Sequence, residues 1–295
     1  MPLLRVPEGI GAEGPLPNAL GLDATGTRPG MCDSRCCRRQ PMMRRLLKFA
    51  ITLMTAYLLV CALLFVFQRS LIYLPQPRTC SNGVTDFVLR VDDAQLMVSS
   101  RPRDGASAVL YFGGNAEDVS CTLAELAVAF PDHALYLLHY RGYGGSTGSP
   151  SEAALYADAV ALFDQVHAGR PEVIAVGRSL GSGVAVHLAS TRPLARLVLV
   201  TPFTSVQDLA ARQFPWIPID WLLKDKYESW RHAATLDVPT LIIAAEHDEV
   251  VPRASSEALF GHFRDGVASF EVIAATGHNT IGLSPDYVRL LRRGP

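Results

Sequence analysis

The stretch AVGRSLGSGVAV, residues 175–186, sets one serine between two glycines where one apolar run ends and the next begins. The run before it, EVIAVG (172–177), is short, β-rich and continuous, the pattern of a strand covered on both faces. The run after it, LGSGVAVHLAS (180–190), is long enough for a helix, and its Gly181 and Gly183 permit close packing. A strand, a sharp turn with Ser179 at its apex and a helix follow directly from this order. Ser179 is then either a nucleophile raised at the carboxyl edge of a sheet or the small residue that a tight turn favours. What the rest of the chain brings to that edge decides between the two.

Outward from the turn the alternation continues. Upstream lie FVLRV (87–91), AQLMVSS (94–100), AVLYF (108–112) and ALYLLH (134–139); downstream lie RLVLVT (196–201), TLIIAA (240–245) and SFEVIA (269–274). The first two, with VDDAQ between them, read as an opening antiparallel pair. Helical patterns fall at 116–130, 151–167, 180–190, 254–263 and 285–292. This alternation predicts an α/β fold over 86–295: a mostly parallel eight-stranded sheet with helices on both faces. Residues 203–231 hold all three tryptophans and break the rhythm after the sixth strand, so a small lid is expected there.

A serine hydroxyl is a weak nucleophile near neutrality and needs a base, which in turn needs an orienting carboxylate. In a sheet of this kind both belong on loops at the same edge, the acid before the histidine. EHDEVVP follows the strand at 240–245, and ATGHNTI follows the strand at 269–274. Asp248 is the expected acid: it begins a D-x-x-V-P arrangement in which the valines and Pro252 can anchor the loop, with Glu246 and Glu249 as competitors. Of the eight histidines only His278 falls in a Gly-flanked loop after the last strand, which makes it the expected base. The backbone N–H of Leu180, at a helix N-terminus, is one expected oxyanion donor. The second is the N–H of Asn115 in YFGGNAED (111–118), where Gly113 and Gly114 allow close backbone approach and Asn115 is expected to begin a helix.

The 295 residues carry 27 basic and 28 acidic side chains, a formal net charge of -1, and no basic stripe interleaved with aromatics, so nucleic acid is not an expected partner. Residues 49–67, FAITLMTAYLLVCALLFVF, contain no charge and at about 1.5 Å per residue roughly cross a ~30 Å hydrocarbon layer. A transmembrane signal anchor is expected over 46–68, followed by a linker over 69–85. A buried core helix would show a polar face, and a cleaved signal would end in a small-x-small site rather than QRSLIYLPQP. Arg38, Arg39, Arg44, Arg45 and Lys48 precede the run, which predicts a cytoplasmic N-terminus and a catalytic domain outside, periplasmic in a Gram-negative host. Residues 1–41, rich in Gly, Pro and Arg, are expected to be disordered or untranslated, with MMRRLLKFA from Met42 as the natural start of the anchor. They hold Cys32, Cys36 and Cys37 without a second cluster at zinc spacing; in the body, pairing of Cys80 with Cys121 stays open.

Taken in order, QRSLIYLPQP, FGGNAED, YRGYGGSTGSPSE, GRSLGSG, DEVVP and GHN resemble the α/β-hydrolase superfamily. More narrowly, they are similar to its membrane-anchored serine aminopeptidase-like or lysophospholipase-like members. The resemblance implies hydrolysis of a carboxylic ester or thioester, with a small-molecule or lipid-like acyl substrate, no cofactor and no metal. A peptidase, or a non-catalytic binding protein on the same fold, is the alternative. Such relatives commonly carry His-Gly-Asn-Ala where this chain has Gly113-Gly114-Asn115-Ala116, so the bond that histidine makes to hold the loop must come from elsewhere.

Overall fold

A computed structural model describes residues 34–80 and 85–293. The chain divides after Ala56. In the described residues of the first unit it is helical from Ser34, inside the segment expected to lack structure, and apolar side chains such as Leu46, Phe49 and Ile51 are exposed. The three-cysteine cluster at 31–39 lies outside the described side chains. The helix, α1 (Ser34–Ile72), contains a 32-residue stretch from Pro41 that is long and apolar enough to cross a membrane, with a mean hydropathy of 2.5 in its most apolar window.

The second unit is built on an eight-stranded sheet. β1 (Thr85–Val91) and β2 (Ala94–Arg101) form the expected antiparallel hairpin about Asp92 and Asp93. β3 (Ser107–Phe112), β4 (Ala134–Leu138), β5 (Glu172–Arg178), β6 (Arg196–Val200), β7 (Thr240–Ala245) and β8 (Ala268–Ile273) are parallel, in the order β1-β2-β4-β3-β5-β6-β7-β8. The strands read as unbroken apolar runs because both faces are covered. Val109 and Tyr111 of β3 enter one core with α2 (Val119–Ala129) and α9 (Pro285–Arg292). Leu110 and Phe112 enter the other with α3 (Glu152–His167), α4 (Leu180–Thr191) and α8 (Arg253–Phe260).

The segment expected to form a lid follows β6 as α5 (Val206–Gln213), α6 (Ile219–Leu222) and α7 (Ser229–Ala233). The residues expected as a linker are structured where described: Tyr73 is buried, and its hydroxyl meets Asp225 and Tyr227 of the lid. Cys80 and Cys121 form a disulfide that ties this segment to α2.

One expected start moves. Asn115 does not open a helix, because the Asp118 carboxylate caps α2 by accepting the Ser120 N–H. Residues 113–117 are thereby left as a separate turn, closed by Glu117 N–H to the Gly114 carbonyl.

Candidate active site

β3 lies between β4 and β5, so the chain reverses its direction of progress across the sheet there, and the carboxyl ends of strands at such a reversal are where open α/β sheets place their ligands. Ser179 stands at the end of β5 with φ 49° and ψ -118°, a conformation costing about 1–3 kcal/mol that the packed elements around it must impose. The glycines make that packing possible. A Cβ on Gly177 would meet the Gly181 carbonyl oxygen at 2.4 Å, and one on Gly181 would meet that of Phe112 at 2.0 Å.

The structure brings Ser179, His278 and Asp248 together. His278 Nε2 lies 3.0 Å from Ser179 Oγ, and its Nδ1 lies 2.8 Å from Asp248 Oδ2. The Asp248 and His278 side chains are both buried, and Asp248 Oδ1 also accepts the N–H groups of Val250 and Val251 at 2.9 and 2.7 Å. The competing carboxylates are occupied differently. Glu246 accepts the Ala275 N–H at 2.8 Å, and Glu249 accepts the backbone N–H of His278 at 3.2 Å, so neither meets the imidazole ring. His247 is exposed and leans on Glu246.

Leu180 is the first residue of α4, where an N–H has no partner within its helix. Asn115 sits in the turn beside the serine; a Cβ added at its neighbour Gly114 would lie 3.7 Å from that of Ser179. The turn is held by groups that the sequence pattern did not single out. Glu117 Oε2 accepts the Gly114 N–H at 2.8 Å, and Oε1 accepts the hydroxyls of Tyr111 and Thr122, each at 2.7 Å. Tyr111 is fully buried, which raises its pKa well above the phenol range and keeps it a neutral donor. Tyr140 donates to the Gly113 carbonyl at 2.9 Å, and Tyr143 to that of Asn115 at 2.6 Å. These bonds hold the turn in a chain that has Gly113 and no histidine there. Arg178 joins the two sides of the site, reaching Glu117 at 3.4 Å and the His278 carbonyl at 3.1 Å. The Glu three residues after Gly114, and the Arg directly before the serine, were the only sequence signals of this network.

The model of the alpha/beta hydrolase fold matches residues 111–218, which include the turn at 113–117 and Ser179. A protein of Mycobacterium tuberculosis (strain H37Rv) is 38% identical over 228 residues, 72% of this chain and 80% of that one. This chain belongs to the α/β hydrolases. Among other members of the superfamily, the lysophosphatidylserine lipase ABHD12 of Macaca fascicularis is 30% identical over 223 residues, 62% of this chain and 54% of that protein. The chain thus spans about half of that lipase. A solved esterase of Pyrococcus furiosus superposes with a TM-score of 0.59 over 74% of this chain and 94% of its own, at 14% identity, a likeness of fold.

Among the described residues, Cys80, Asp118 and Cys121 cluster within 4.8 Å, but the two sulfurs are bonded to each other. Hydrogen bonds from Ser120 and Thr79 outweigh burial and hold the Asp118 carboxyl below its ordinary pKa, as its capping role requires.

Proposed function

We propose that this α/β hydrolase is a membrane-anchored serine hydrolase that cleaves carboxylic esters or thioesters through an acyl-enzyme. The observation that carries the reading is the unbroken hydrogen-bonded line from Ser179 Oγ through His278 to the buried carboxylate of Asp248. With its Nδ1 proton held by Asp248, His278 keeps Nε2 free to accept the serine proton as Oγ attacks the acyl carbon. The N–H groups of Asn115 and Leu180 stabilise the oxyanion, worth about 10²–10³ in rate for each such donor. His278 returns the proton to the departing alcohol or thiol, and water, activated by the same imidazole, releases the acid.

A lipid-like acyl substrate is supported by the likeness to a lysophosphatidylserine lipase and by the apolar helix. We assign residues 46–68 as a single span with its N-terminus in the cytoplasm and the catalytic domain outside.

The test is active-site labelling of the full chain in membranes. A fluorophosphonate should label one residue, Ser179, and Ser179→Ala should abolish labelling. Labelling that survives the substitution refutes the nucleophile, and faster cleavage of aminoacyl anilides than of any ester refutes the substrate class. A reporter active only outside the cytoplasm, fused after residue 85, should be active and remain membrane-bound; an inactive fusion, or a soluble one, refutes the topology.

A further inference from the structure

Resting on that hydrolase reading, we infer that the groove between the end of α1 and the lid binds the acyl chain of the substrate and leads it from the bilayer to Ser179.

The lid is docked along the helix by polar ties. The Gln68 side chain donates to the Leu222 carbonyl at 3.1 Å and accepts the Lys224 N–H at 2.7 Å. Arg69 pairs with Asp225 at 2.9 Å, the Tyr73 hydroxyl meets Asp225 and Tyr227, and the Tyr57 hydroxyl donates to the Trp216 carbonyl at 2.9 Å. A glutamine buried on an apolar helix is costly unless its amide is satisfied, and here the lid backbone satisfies it.

Between these ties lies a cavity of about 200 Å³ lined by Leu64 and Ile72 of α1 and by Val206, Ala210, Phe214 and Leu222 of the lid. Among its described lining residues Gln68 alone is polar, and both ends of its amide are engaged. The wall therefore offers dispersion contacts and no free hydrogen-bonding group, which suits a hydrocarbon chain and not a polar headgroup.

Both ends of the groove are in the right places. Leu64 belongs to the uncharged run that ends at Phe67, so the outer end lies at the depth of the hydrocarbon when the helix spans a bilayer. From Tyr57 to Ile72 the helix rises about 22 Å, so the lid follows it roughly 15 Å into that run. Phe214, Trp216 and Trp221 are exposed on this part of the lid, Trp221 at 89%, as residues that meet lipid rather than water. At the inner end, the Ile72 carbonyl accepts from Asn115 Nδ2 at 3.1 Å, which joins that wall to the oxyanion turn. The opposite wall begins at Val206, shortly after Val200, whose carbonyl accepts the Ser179 N–H at 2.9 Å. One wall is thus bonded to the turn beside the serine, and the other continues the chain that follows the strand bonded to Ser179.

The experiment uses the full chain in lipid nanodiscs and an alkyl fluorophosphonate of decyl length with a terminal photoreactive diazirine. After reaction at Ser179 and illumination, crosslinks should map to peptides containing 64–72 and 206–223. In parallel, Ala210→Trp, which fills the groove, should lower the ratio of kcat/KM for p-nitrophenyl decanoate to that for the acetate by about tenfold or more, equivalent to losing roughly two buried methylenes. A labelled serine whose crosslinks map elsewhere, or an unchanged ratio in Ala210→Trp, overturns the groove assignment alone. A probe that never labels Ser179 overturns the hydrolase reading and this assignment with it.

Discussion

Replacing Glu117 by glutamine isolates the support of the proposed oxyanion turn from the reacting groups. The carboxylate is an acceptor on both oxygens, taking the Gly114 N–H and Arg178 on one and the hydroxyls of Tyr111 and Thr122 on the other. A glutamine of the same shape has one acceptor and one donor end. With its NH2 toward Tyr111 and Thr122 the hydroxyls must turn to accept, and with its NH2 toward Gly114 two donors face each other; in either case the charge is gone. A hydrogen bond to a charged acceptor is worth about 1.5–3 kcal/mol against about 1 for a neutral one, and the bonds around Glu117 lose that difference together. If that loss is felt in the position of the Asn115 N–H, one residue along, kcat should fall about 10- to 100-fold, below the about 10²–10³ of deleting an oxyanion donor outright. KM should stay within about threefold, because the lost interaction acts on the transition state. Steady-state hydrolysis of one ester by wild type and Glu117→Gln measures both constants. A kcat within about twofold of wild type, with the protein folded, would show that Tyr140 and Tyr143 hold the turn unaided and refute the reasoning.

Three further outcomes follow from other parts of the molecule. Asp248→Asn should reduce ester turnover by on the order of 10³ or more while Glu246→Gln stays within about threefold, since only the former carboxylate meets the His278 ring; equal damage from both would mean that the acid is misassigned. His187 stacks on Tyr156 at 3.8 Å, and burial, with His232 beside it, lowers its pKa from 6.5 to about 4. The unfolded chain therefore binds this proton at higher pH than the folded one, so stability should be level above pH 6.5 and decline as pH falls toward about 4. Urea midpoints should show a shallower decline in His187→Gln, and identical slopes would remove His187 as a source. Opening the Cys80–Cys121 bridge frees a span of 41 residues, so Cys121→Ser should lower the unfolding free energy by about 2–4 kcal/mol in urea titrations without reductant; no change would show that the covalent tie constrains little of the unfolded chain.

Strands, helices and the turn at Ser179 were legible in sequence because each is a property of consecutive residues. Continuous β-rich runs mark strands covered on both faces, and Gly177 and Gly181 mark the places where no Cβ fits. The candidate acid and base were legible for the same reason, since each sits in a short loop directly after its own strand, β7 or β8. The start of α2 was misread because Asn115 and Asp118 are both good capping residues, and only the hydrogen bond to Ser120 shows which of them caps. Of the aromatics in residues 203–231, Phe203 and Tyr227 went into the core, Trp216 and Trp221 to the surface, and Phe214, partly exposed, to the rim of the groove.

Which distant groups meet one another had no local signal. Glu117, Arg178 and the His278 carbonyl meet only because the sheet order sets the ends of β3, β5 and β8 along one edge. The same holds for Gln68 and Arg69, which in sequence look like the polar end of a membrane helix and in the fold hold the lid more than 150 residues away. Periodicity and backbone sterics write themselves into neighbouring residues, whereas the partner of a buried polar group is chosen by chain topology, and that choice exists only once the sheet has closed around it.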